Sequence, residues 1–365
     1  MKDNKIESLE TLRGIAFSGI FLLHIGFPIQ WATLGVSIFF VLSGFLLTYH
    51  YLDSLLAWGG YRNGLKFSVK RVSKIYPLHF ITMILAVAMI LVPYIGKPAL
   101  RRDWLGLGRN IILNTFLLQS WYPDAGVNVS LNGVAWYLSA AAFHYFMFPY
   151  IVEKMRKLRG KRNYQYTIII LILILQLILS AIALKIDSSW EFYRWIAYDM
   201  PFFRMGDFLV GCIVGVMYLE KKDTLKSVKA SIVEVIVLIA CIGITFWDNK
   251  SEHTGFISKI FNNWTTIYIP VVAAAVYLFA AKQGMIVKTL SKGKSIKHIG
   301  IKSSGYFLIH YIVIQYMNRI VIHMPFQVSN LTIGLSELVL TIIFFEIYHK
   351  IEPRLLQMNC IAIKK

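Results

Sequence analysis

The sequence predicts an all-α protein that crosses a bilayer about ten times, with one further helix that is re-entrant or interfacial. Three observations predict this. Of the 365 residues, 57% are hydrophobic and only 16% charged, with a mean hydropathy of +0.58; soluble domains sit near half apolar and a quarter charged. The apolar residues fall in blocks of roughly bilayer length. Lys and Arg gather in the loops between alternate blocks, as they do in cytoplasmic loops of membrane proteins. That last pattern also explains the net charge of +19. No polyanionic partner is needed, and a nucleic-acid role is not expected.

Ten segments read as spans, at 14–28, 34–52, 76–95, 133–152, 164–185, 201–219, 231–247, 264–281, 303–322 and 331–348. Basic clusters occupy 62–74, 154–162, Lys221–Lys229, Lys282–Lys302 and Lys364-Lys365. All fall on one side if there are ten crossings with both termini cytoplasmic. The loops 29–33 and 323–330 lack Lys and Arg, and 186–200 and 248–263 are mixed or acidic. RNIILNTFLLQSW, residues 109–121, is apolar enough to be an eleventh span. A crossing there would move every later basic loop outside, so it reads as the outer-side re-entrant or interfacial helix. The expectation is one transmembrane domain over 1–365 in the plasma membrane. Residues 1–12 and 349–365 are its cytoplasmic ends.

The start, MKDNKIESLETLRG, carries acids with its bases and no cleavage site follows, so it reads as a retained end. Cys212, Cys241 and Cys360 are scattered and suggest neither a disulfide framework nor a metal site.

The chemistry-bearing candidates lie in the apolar blocks or at their mouths. Residues 12–51 form a helical hairpin that turns at Pro28, with Arg13 and His24 on the first arm and Ser43-Gly44 on the second. On a helix Arg13 and His24 stand ~16 Å apart. This places Arg13 at a membrane surface and His24 near mid-bilayer, where an ionisable group is costly and a functional candidate. Lys70, Arg71 and Lys74 share one helical face before Tyr76-Pro77. They read either as a positive-inside anchor or as a cradle for a phosphorylated cosubstrate. Trp136 and Ser139 open the fourth span, and His144 need not face the same way as Ser139. Arg204 and Asp207, three apart, read first as an internal ion pair. Gly211 and Gly215 form a small-x-x-x-small packing pair. Tyr306 and His310, at i, i+4, reach into the ninth span.

Together these stretches resemble the acyltransferase family 3 integral membrane proteins. The resemblance rests on Arg13…His24, GVSIFFVLSGFLLTY, the basic run ending in Tyr76-Pro77, and FRMGDFLVG. The chain departs from the family pattern at Lys74, where Arg is usual, at Ala141, where Glu often follows Trp-x-Leu-Ser, and at Gly305, where Ser is usual.

The resemblance implies transfer of an acyl group, usually acetyl from acetyl-CoA as a cosubstrate on the cytoplasmic side. The acceptor is a hydroxyl of a carbohydrate or lipid-linked glycan. It implies His24 as base, Arg13 in the same site, and Lys70, Arg71, Lys74 and Tyr76 at the donor mouth. Ser43, Trp136, Ser139, Arg204, Asp207, Tyr306 and His310 are supporting residues. No permanently bound cofactor is expected. The alternative is a polytopic transporter of a glycan or small metabolite. Broken helices or related halves would favour it, and no such repeat is visible.

Overall fold

A computed structural model describes residues 6–27, 31–53, 61–94, 103–220, 227–250, 256–261, 265–325 and 327–363. Among them the regular elements are helical: α1 (Glu7–His24), α2 (Trp31–Tyr51), α3 (Tyr61–Ser73), α4 (Tyr76–Leu91), α5 (Trp104–Thr115), α6 (Ala125–Asn128), α7 (Trp136–Lys157), α8 (Arg162–Ile186), α9 (Trp190–Arg194), α10 (Pro201–Glu220), α11 (Ser227–Lys250), α12 (Phe256–Phe261), α13 (Ile269–Ala281), α14 (Met285–Leu290), α15 (Lys294–Ile322) and α16 (Asn330–Ile363). A π-helical turn, Trp195–Asp199, leads into α10.

Five stretches among the described residues are long and apolar enough to cross a bilayer: Trp31–Tyr51, Arg162–Ile186, Trp190–Glu220, Ser227–Trp247 and Asn330–Glu352. A sixth, Asn63–Ser73 with Tyr76–Leu91, is bent by 48°. The protein is therefore a helical multi-pass membrane protein, with five clear spans where the sequence suggested ten. The others fall short for physical reasons. α1 carries Glu7, Glu10 and Arg13, and α13 has only 13 residues, about 20 Å.

Several boundaries move. α1 starts at Glu7, inside the stretch expected to be a cytoplasmic end, and α16 continues to Ile363 through the expected tail. Residues 109–121 divide into the end of α5 and a 3-10 turn at Gln119–Trp121. α5, at about 18 Å, is too short to cross. Pro28, Arg101, Arg102, residues 221–226 and Lys364-Lys365 lie outside the described residues.

The chain divides into two compact units, each assembled from separate stretches: Met1–Gly64 with Phe143–Ser303, and Leu65–Ala142 with Ser304–Lys365.

The first unit is centred on α2 and α10. Gly211 has no Cβ to hold off the Val41 backbone, and Gly44 likewise admits the Phe208 carbonyl. The small-x-x-x-small reading thus holds, with α2 as the partner helix. Ser37 meets Arg204, Val41 meets Gly211 and Thr48 meets Gly215, so the two helices run in the same direction. α1 opposes α2, because Gly19 packs on Trp31 and Gly35 packs on Ala16 and Ile20. α8 opposes α10: Gln176 reaches Phe203, while Gln165 reaches Glu220. At the basic end Arg159 pairs with Asp53 at 2.8 Å, and hydrogen bonding to that carboxylate raises the Arg159 pKa.

In the second unit α4 and the later part of α15 run in the same direction. The Tyr316 hydroxyl donates to Leu85 O, and Arg319 donates to Met89 O. The end of α5 and the segment after it are fastened by side chains that bond groups sixteen residues ahead. Asn110 donates to Gly126 O, Asn114 to Ser130 Oγ, Gln119 to Ala135 O and Ser120 to Trp136 O. A constant offset means that 110–120 and 126–136 lie side by side in the same direction. Local backbone turns pair many of the N–H groups here, and the side-chain bonds tie the two stretches to each other.

Candidate active site

The first arm of the hairpin forms one unbroken helix from Glu7 to His24. Eleven residues are very nearly three turns, so Arg13 and His24 share one face of α1, about 16 Å apart. Arg13 is half-buried, 3.4 Å from Glu10 Oε2, and its Nε is buried without a hydrogen-bond partner. His24 is partly buried and is the last helical residue; Gly26, at φ +85°, ends the turn that follows. His24 stands at the far end of α1 and not at its middle, while Arg13 lies about 9 Å inside the helix start. At this separation the two cannot bracket a single reacting atom, and only an elongated ligand reaches both.

The same unit buries a second polar centre. Arg204 and Asp207 are fully buried on one face of α10, with Arg204 Nη1 3.3 Å from Asp207 Oδ2. Arg204 Nη2 donates to Ser37 Oγ at 3.4 Å. Its guanidinium lies 4.7 Å from the Phe40 ring centre and 5.2 Å from that of Tyr198, which the π-helical turn delivers. His144 packs on Phe40 and Phe208 and donates Nε2–H to Pro201 O at 3.1 Å. The ion pair read from spacing is therefore formed, and aromatic faces complete its surroundings.

The remaining candidates lie mostly in the second unit. Lys70 and Arg71 sit in the last turn of α3, with Arg71 over the Phe67 ring at 5.5 Å. Lys74 does not share their face: α3 ends at Ser73 and Lys74 lies in the turn. Pro77 supplies the reason, since it offers no N–H to the Ser73 carbonyl and its ring crowds that turn. Tyr76 opens α4, and its hydroxyl donates to Thr115 O at 2.8 Å.

Trp136 is buried at the start of α7, and Ser139 donates to Leu117 O at 2.6 Å. Leu117 has φ +55°, so Ser139 holds a strained turn. Tyr306 and His310 are both buried, and His310 Nδ1 donates to Tyr306 O at 3.1 Å. In the first unit, Ser43 is half-buried beside Gly44 on α2.

Sequence reasoning missed Ser37, Phe40 and Tyr198 around Arg204, and His79 and Asn114 beside Tyr76. His79 Nε2 donates to Asn114 O at 2.9 Å. A histidine within two residues of Tyr76-Pro77 was the available signal.

This is a helical membrane protein with charged and polar groups buried at helix interfaces and a His–Arg pair on its first helix. Comparison with known proteins gives its class. The acyltransferase-domain family matches residues 6–346, and the chain belongs to that family. Its family is one of acyltransferases. It is 25% identical over 314 residues to acyltransferase MdmB of Streptomyces mycarofaciens, covering 83% of this chain and 72% of that protein. It is 26% identical over 371 residues to O-acetyltransferase OatA of Staphylococcus aureus, covering 94% of this chain and 56% of OatA. The chain thus spans little more than half of OatA. No solved structure matches.

Proposed function

We propose that this protein transfers an acyl group, most simply acetyl, from acyl-CoA to a hydroxyl of a carbohydrate or lipid-linked glycan, with His24 as the general base. The observation that carries this reading is the family match together with Arg13 and His24 on one face of α1. A neutral imidazole takes the proton as the hydroxyl oxygen attacks the thioester carbonyl, and the CoA thiolate leaves after the tetrahedral intermediate. Arg13, three turns away, acts on the phosphate-bearing part of the donor. An extended CoA is long enough to reach both. Lys70, Arg71 and Lys74 serve the donor mouth, where Arg offers two-pronged phosphate contacts and Lys a point charge.

Ten crossings with cytoplasmic termini belong to the same reading, and helix direction supports them. Consecutive spans alternate, so helices that run the same way differ by an even number of crossings. α2 and α10 run the same way, and so do α4 and α15. In the ten-span scheme they are spans two and six, and three and nine. An extra crossing at 109–121 would make each pair oppose.

The test is mass spectrometry of cell-surface glycans from strains with and without the gene. The expected result is an acyl mass, 42 Da for acetyl (a chemical constant, about one ketene unit), present only with the gene. Identical glycan masses in both strains would contradict the reading.

A further inference from the structure

We infer that the groove between α4, α15 and α16 seats the hydrocarbon chain of a polyprenyl phosphate, the single-chain lipid carrier of the acceptor glycan, with its phosphate at Arg319. This rests on the glycan acceptor proposed above and narrows it to a lipid-linked one. The groove lies wholly within the second unit and holds a cavity of about 550 Å³. Its floor is buried at Leu78, Ile312 and Val313, and its rim is exposed at Leu85, Ile320 and Ile347. From Ile309 to Ile320 it follows α15 for eleven residues, ~16 Å. α4 and α16 both belong to stretches apolar enough to cross a bilayer, so a lipid chain enters the groove from the side.

The wall offers nothing to a polar ligand. Three lining side chains carry hydroxyls, and each donates to the protein itself: Thr82 to His79 O, Tyr316 to Leu85 O and Tyr348 to Glu352 Oε1. The other lining side chains are apolar. Such a space gains by burying methylene groups and rejects sugar hydroxyls and phosphate, which would lose their water without a partner.

One mouth carries a fixed cation. Arg319 is exposed, lies one turn beyond Tyr316 on the face of α15 that meets α4, and donates Nη1–H to Met89 O at 2.7 Å. That carbonyl is open to Arg319 because Pro93, four residues on, has no N–H to give it. The bond uses one of five guanidinium donors and holds the group where the groove ends. α16 folds back along α15, with Phe345 packed on Gly305 and Tyr306, so Ile351 marks the opposite mouth. Charge is mixed there: Glu352 accepts from Tyr348 and His349, beside exposed Lys350.

An apolar slot ending at an arginine selects a chain joined directly to a phosphate. A polyprenyl phosphate has that connection and only one chain. In acyl-CoA the pantetheine arm parts the phosphates from the acyl chain. A diacyl phospholipid leaves its second chain outside the groove.

The experiment measures binding of a polyprenyl phosphate, and of the matching uncharged polyprenol, to the detergent-purified full chain, with phosphatidylglycerol as competitor. Arg319→Gln keeps an N–H for Met89 O and removes the charge. Ile347→Trp fills the groove from its exposed rim. Ile343→Trp, similarly exposed on the same helix but outside the groove, is the control. The expected result is that Arg319→Gln binds the polyprenyl phosphate roughly 10-fold more weakly, as loss of a charged hydrogen bond implies, and binds the polyprenol unchanged. Ile347→Trp weakens both ligands and Ile343→Trp neither. Displacement of the polyprenyl phosphate by an equal concentration of phosphatidylglycerol, equal loss in the two tryptophan variants, or equal loss of both ligands in Arg319→Gln overturns the inference. Acyl incorporation into the lipid-linked glycan is measured in parallel. Transfer without this binding pattern overturns the groove assignment alone, and the binding pattern without transfer overturns the acyl-transfer reading alone.

Discussion

Both units bury amides and imidazoles against backbone carbonyls, as Gln176 on Phe203 O and His144 on Pro201 O do in the first, but the first adds a fully buried ion pair. The first buries opposite charges: Arg204 and Asp207, one turn apart on α10, with Arg194 3.5 Å from the buried Asp199 nearby. The second buries neutral amides and an imidazole, Asn114, Gln119, Asn132 and His79, against backbone carbonyls. In the first unit the helices satisfy their own backbone groups, so a buried charge must find another charge or an aromatic face. In the second, amide and imidazole N–H groups add a further bond to backbone carbonyls, among them Asn114 O and Ala135 O, which also accept from backbone N–H groups.

The sharpest way to break this comparison is to remove one partner on each side. Arg204→Met leaves Asp207 as an uncompensated buried charge and should cost about 3–5 kcal/mol. Gln119→Met removes one hydrogen bond to Ala135 O, which keeps its backbone partner Leu138 N, and should cost about 0.5–1.5 kcal/mol. Heat-dependent loss of the monodisperse peak in fluorescence-detected size exclusion ranks the two. Arg204→Met combined with Asp207→Leu should recover much of the loss, because no lone charge remains. If the double variant is as unstable as Arg204→Met, the pair is not the unit of stability, and Ser37, Phe40 and Tyr198 matter more than the charges.

A smaller effect sharpens the contrast between buried and surface cations. Arg71→Ala, in the last turn of α3, should leave thermal stability within about 0.5 kcal/mol and raise the acyl-CoA concentration needed for half-maximal transfer. Lys74→Arg should be tolerated, because Lys74 lies in the turn and does not depend on a shared helical face. Unchanged dependence on acyl-CoA in Arg71→Ala would make the cluster an anchor to anionic lipid.

Legibility in the sequence followed distance along the chain. The Arg204–Asp207 pair, Gly211 with Gly215, and Tyr306 with His310 were readable because helical spacing fixes which neighbours share a face. Ser37 and Phe40, 167 and 164 positions before Arg204 in a chain of this numbering, were not, since nothing local records which helix packs on α10. The shortness of α5 and the sixteen-residue offset were hidden in a stretch whose apolar composition resembles a span. The helix break before Tyr76 was legible in Pro77, yet a regular spacing of Lys70, Arg71 and Lys74 suggested continuity. The start of α1 was not legible because Glu7 and Glu10 are polar, yet they begin the same helix as Arg13.

The geometry on α1 separates the roles of its two functional candidates. Arg13→Ala should weaken use of the donor while leaving part of the activity, since Arg13 lies about 16 Å from His24. The decisive measurement is acyl incorporation into the acceptor glycan by His24→Gln at matched membrane expression. Glutamine approximates the size and hydrogen bonding of histidine but cannot take the proton. Transfer should fall roughly 10²–10⁴-fold, the contribution of a general base, with the protein still inserted and folded. Near-normal transfer by His24→Gln would show that the histidine only packs the end of α1 and that the base lies elsewhere.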